Sequence, residues 1–127
     1  MEESSRLANA PTHLTLSSCS VDVETAANQV VVSLTGELDM TDADQVGEVL
    51  NDAVNAGKPT VRLQLSDLRF ADSSAIKAIL IGAQAAEDRG VEFELVNPRG
   101  LVQRLLEVTG LTLALTVVHE PEADSRN

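Results

Sequence analysis

Aromatic residues are nearly missing: the 127-residue chain has two Phe and no Tyr or Trp. A single-stranded nucleic acid would find almost nothing to stack on. Basic residues are scarce too, nine Lys and Arg against 20 Asp and Glu, and the net charge of −11 repels phosphate backbones. No nucleic-acid partner is expected. The one cysteine, Cys19, rules out an internal disulfide and a multi-thiolate metal site, which fits a reducing compartment. No run approaches the roughly 18–20 consecutive apolar residues of a spanning helix, and the stretch from Met1 to Ala10 is polar where a signal peptide would be apolar. A cytoplasmic protein with no membrane insertion is the expectation.

The chain does have enough apolar residues, 43% of the whole, to build one modest core, and its length suits a single domain. Charged, small and proline residues crowd both ends. The sequence thus divides into a flexible arm over 1–12, a domain over 13–119 and a flexible tail over 120–127.

Alternation from Ser20 to Glu24 and the β-branched run Val30 to Leu34 predict a hairpin. Thr41, three residues before Asp44, looks like the start of a capping box, and Val46, Val49, Leu50, Ala53 and Val54 repeat at helical spacing. A helix over about 42–56 follows, stopped by Gly57-Lys58-Pro59. Val61, Leu63 and Leu65 form a strand, and Asp72-Ser73-Ser74 opens an apolar helix that Gly90 closes. Val91 to Val96 makes another strand. Asn97-Pro98 reads as a cap with proline at the first helical position, Gly110 ends that helix, and Leu113 to Val118 makes a last strand. Strands that alternate with helices after an opening hairpin require parallel crossovers, hence an α/β domain with a mixed sheet.

No arrangement of residues suits catalysis. His13 and His119 stand 106 positions apart, no His, Cys and Asp spacing matches a metal site or a nucleophile with its base, and no GxGxxG, Walker-type or GxSxG motif occurs. Neither an enzyme nor a bound cofactor or metal is expected. Asp72-Ser73-Ser74 taken alone is ordinary capping, in which a side-chain oxygen accepts from a free backbone N–H and contributes about 1 kcal/mol. The same place suits a phosphate, because first-turn amides lack partners and the helix dipole is positive there. A phosphoserine would leave the fold intact and add about two negative charges to the surface beside Asp72.

In order along residues 14–118, Gly36-Glu37-Leu38-Asp39 follows a hydrophobic strand, and Asp67-Leu68-Arg69-Phe70-Ala71-Asp72-Ser73-Ser74 follows the next. Arg89-Gly90-Val91 then leads into a strand, and Val102-Gln103-Arg104-Leu105-Leu106 runs on to Thr109-Gly110-Leu111. This order resembles the STAS domain, in particular the bacterial anti-sigma factor antagonists. The resemblance implies a mixed sheet of four or five strands with helices packed mainly on one side. It also implies a function: such proteins bind an anti-sigma factor that is also a serine kinase, which frees a sigma factor for transcription. Phosphorylation of a serine at the start of the second helix ends the binding, and a serine phosphatase restores it. Carried over by position, the phosphoacceptor is Ser73, Asp72 is the aspartate before it and Ser74 the hydroxyl residue after it. Glu37 and Asp39 match the acidic pair beside that serine, so the implied docking face is Glu37, Asp39, Asp72, Ser73 and Ser74. Ala75 departs from a glycine common in the family, and Ala71 from a larger residue; alanine is the stronger helix former, which bears on kinase access to Ser73. The alternative is a constitutive scaffold subunit of the same fold, in a signalling assembly or in a lipid-transport ATPase complex. There Asp72-Ser73-Ser74 would be a cap and docking surface only.

The negative charge is uneven. Residues 37–52 carry six acids (Glu37, Asp39, Asp42, Asp44, Glu48 and Asp52) and no base, whereas residues 53–119 carry seven of each. A basic docking surface on the partner is the corresponding expectation.

Overall fold

In the computed structural model, which describes residues 12–121, six strands lie side by side in the order in which they occur along the chain. β1 (Thr12–Thr15), β2 (Cys19–Thr25) and β3 (Gln29–Leu38) are antiparallel. From β3 onward the pairing is parallel, through β4 (Thr60–Ala71), β5 (Glu92–Val96) and β6 (Thr116–Val118). Crossovers supply the helices: α1 (Ala43–Val54) before β4, α2 (Ser73–Asp88) before β5, then α3 (Gly100–Val108) and the single turn α4 (Leu111–Ala114) before β6.

Register explains why one sheet face is covered and the other is open. Val32 of β3 sits level with Leu63 of β4, and Leu63 with Leu95 of β5, all fully buried. One residue along, Val31, Arg62 and Glu94 line up on the opposite face, where Arg62 pairs with Glu94 and Glu120. The apolar face meets Val46 and Leu50 of α1, Ile79 of α2 and Val102 and Leu106 of α3 in one core. Each large side chain buried there contributes about 1.5–3 kcal/mol. α1 and α2 also pack on each other at small residues: a Cβ on Gly47 would lie 4.0 Å from Ala78 Cβ, and one on Gly82 only 3.3 Å from Leu50.

Several expectations need correction. The sheet has six strands rather than four or five, because Thr12–Thr15 adds an edge strand to β2. Its side chains are half-buried or exposed, so it left no core pattern in the sequence. Thr12, assigned to the arm, therefore belongs to the sheet, and Glu120, assigned to the tail, is fixed by Arg62 and by its N–H donated to Asn97 Oδ1 at 2.7 Å. The remaining stretches, 1–11 and 122–127, lie outside the described residues. The Thr41 capping box does not form: α1 begins after Asp42, whose side chain is used elsewhere. Nor does Asn97 cap α3. It sits in the left-handed region (φ 54°), its N–H donates to Val118 O, and α3 starts three residues on, after Arg99. The last strand is shorter than expected because Leu111–Ala114 winds one more helical turn after the left-handed Gly110. Among the described residues no helix is long and apolar enough to cross a membrane.

Candidate functional site

Two parallel strands end together and bring the acidic loop to the serine. Glu37 stands level with Phe70 and Leu38 with Ala71, and the Asp72 N–H donates to Leu38 O at 3.2 Å, so α2 starts beside the exit of β3. Glu37, Asp39, Asp72, Ser73 and Ser74 thus gather at one end of the sheet, with Glu37 and Ser73 exposed and Asp39, Asp72 and Ser74 half-buried. Exposed Phe70 and Met40 add apolar surface beside them.

Two acids of this segment, Asp39 and Asp42, shape it from within. Asp39 starts the turn into α1: its carboxylate accepts from Thr41 N–H at 3.0 Å, and its carbonyl accepts from the N–H groups of Asp42 and Ala43. Asp42, counted above among the acids of a docking segment, is only 1% exposed and does not belong to that surface. Its carboxylate accepts from the N–H groups of Ser17 (3.1 Å), Ser18 (2.7 Å) and Cys19 (3.0 Å), the turn between β1 and β2. From the other side Ser18 O accepts the Glu37 N–H at 3.0 Å. Gly36 permits that approach, since at φ 102° a Cβ there would lie 2.6 Å from Ser18 O. The Glu37–Asp39 loop is therefore held from behind by a turn some 20 residues earlier in the chain.

Asp72 caps α2 with extended backbone, and its Oδ1 accepts from Ser74 N–H at 2.9 Å and Ala75 N–H at 3.1 Å. The capping expected from the sequence forms, whereas the first-turn amides expected to be open to a phosphate are in part taken by it. Two of those amides are thus bonded to the Asp72 carboxylate beside the exposed Ser73.

Beside this end, α1 and α2 enclose a groove. Asp44, Glu48 and Asp52 stand on its α1 side, Ser74, Lys77 and Ile81 on its α2 side, and Gly47 and Ala78 form its floor. Sequence reasoning did not find it, because it depends on how closely two helices approach at small residues. Elsewhere, His13 bonds Asp22 and Thr15 on the exposed edge strand, and His119 is exposed. Cys19 is buried, and that burial pushes its thiol up to about 11, with the nearby Asp42 carboxylate adding to the rise against a backbone hydrogen bond from Thr35. Such a thiol stays protonated and a poor nucleophile at neutral pH. Among the described residues no group of three or more His, Cys, Asp and Glu could hold a metal ion.

A family model described as "Mlab, STAS domain" matches residues 21–117. The chain is 29% identical over 92 residues to an anti-sigma F factor antagonist of Paenibacillus polymyxa, covering 72% of this chain and 79% of that one. Its fold is similar to that of an anti-sigma factor antagonist from Mycobacterium paratuberculosis, with a TM-score of 0.70 and 24% identity over 92% of this chain and 91% of that one. It is similar also to the Bacillus cell fate determinant SpoIIAA in its phosphorylated form, with a TM-score of 0.63 and 21% identity over 91% of this chain and 96% of that one.

Proposed function

The chain belongs to the STAS domain family, and from that premise we propose that it is an anti-sigma factor antagonist: a binding module that engages an anti-sigma factor with serine kinase activity and is switched off by phosphorylation of Ser73. The observation that carries the proposal is the placement of Ser73, exposed at the first position of α2, beside the loop Glu37–Asp39 on a platform held by Asp42. The likeness to a Paenibacillus antagonist supports the same assignment. A kinase reaches an exposed hydroxyl at a helix start without unfolding anything, and a serine phosphatase reaches it as readily.

The physics of the switch is local. A partner with a basic docking surface is not repelled at long range by added negative charge, since Coulomb attraction would rise. Release must come from contact. A phosphate on Ser73, beside amides that Asp72 already occupies, carries about two charges and three oxygens into a surface fitted to a hydroxyl.

Incubation with the cognate anti-sigma factor and ATP is expected to add one phosphate to the wild type, read as a mass shift, and none to Ser73→Ala. Ser73→Asp is expected to bind the partner more weakly than the wild type. Equal phosphorylation of wild type and Ser73→Ala would remove the assignment of Ser73.

A second function has one observation in its favour. Asp72 alone completes the α2 cap, so Asp72-Ser73-Ser74 has a structural use with no phosphate involved, as a constitutive scaffold subunit of a signalling or lipid-transport ATPase assembly would need. Affinity capture from the native cell separates the two: an ATPase recovered without a kinase favours the scaffold.

A further inference from the structure

The groove between α1 and α2 is apolar along its ends and floor and acidic along one rim. Met40, 74% exposed, and Ile81, 59% exposed, are large apolar side chains left in water along it. Asp44, Glu48 and Asp52 recur every four residues, so they form a line about 12 Å long at 1.5 Å per residue. No ion pair or side-chain hydrogen bond among the described residues engages any of the three, and Lys77 is the one base facing them. The field of that rim is thus not neutralised from within. It disfavours nucleic acid, anionic membranes and acidic peptides alike.

The geometry points to this groove as the docking channel for a basic amphipathic helix of the protein partner. Apolar side chains of the helix would cover Met40 and Ile81, and lysines or arginines one turn apart would meet Asp44, Glu48 and Asp52. Ser74 lines the same groove, so the channel continues the surface that holds Ser73. A helix seated there fixes the partner's orientation over that serine. The inference rests on the proposed function only in taking the partner to be a protein; it does not depend on Ser73 accepting phosphate.

The test uses two fluorescein-labelled synthetic helical peptides, each with leucines along one face, flanked in one by lysines and in the other by glutamates, titrated by fluorescence anisotropy. The lysine peptide is expected to bind the wild-type chain, and added salt to weaken it. The double variant Glu48→Lys, Asp52→Lys is expected to lose about tenfold or more in affinity. The double variant Asp22→Lys, Glu24→Lys, which changes net charge equally on the β2 strand far from the groove, keeps wild-type affinity. Ile81→Asp is expected to weaken binding even at high salt. Circular dichroism confirms that each variant is folded before titration. Equal loss in both charge-swapped pairs, or a glutamate peptide that binds as tightly as the lysine peptide, overturns the inference. Since the phosphate measurement on Ser73 uses neither peptide, failure of one proposal leaves the other standing or falling on its own data.

Discussion

Removing the Asp42 carboxylate would leave the N–H groups of Ser17, Ser18 and Cys19 without their acceptor, the last of them buried, and this makes one buried acid more consequential for stability than any of the exposed ones around it. Asp42→Ala is expected to lower unfolding free energy by about 2–4 kcal/mol in urea titration, with Asp42→Asn in between because an amide oxygen still accepts. Cys19, next to that carboxylate, makes a pH signature. Its thiol is held up to about 11 in the fold against 9.0 unfolded, so between those values the unfolded chain loses a proton that the native protein keeps. Stability therefore falls as pH rises from about 9 to 11, by roughly 2 kcal/mol from this residue, and is unaffected by it below 9. Denaturation curves of wild type and Cys19→Ala, measured at pH 8 and pH 11, should converge by about that amount. The place of Ser73 and Asp72 was legible in the chain because a polar triplet stood where a strand gave way to an apolar helix. Asp42 was not, since within a run of acids it resembled its solvated neighbours and its partners lie 23 to 25 residues earlier.

At the scale of elements, the close contact between the β1–β2 turn and the end of β3 depends on Gly36. Gly36→Ala places a Cβ against Ser18 O in a left-handed conformation, and a loss of about 2–4 kcal/mol is expected in chemical denaturation. Helices and central strands were legible because their buried faces repeat at fixed periods: Val46, Leu50, Ala53 and Val54 in α1, and Val61, Leu63 and Leu65 in β4. Their starts were less so. Thr41 and Asn97 both had the chemistry of a helix cap, but Asp39 and Glu120 offered those segments other hydrogen bonds, and tertiary contacts decided the backbone. β1 was invisible for a simpler reason, an edge strand with no buried row.

Across the whole molecule, the charge imbalance read from composition becomes a matter of location: one acid of the 37–52 segment turns inward, and three others line a groove. The open face of the sheet shows the opposite economy, with Arg62 shared between Glu94 and Glu120. The strand order has a further consequence. Because the six strands are laid down across the sheet in the order of the chain, every strand pairs with its neighbours in sequence, and none must wait for a distant segment to arrive. Each pairing closes a short loop of hairpin or crossover length, at small entropic cost. The sheet can grow strand by strand, the β2–β3 hairpin closing over a short turn and the parallel pairings waiting on crossovers of about 20 residues.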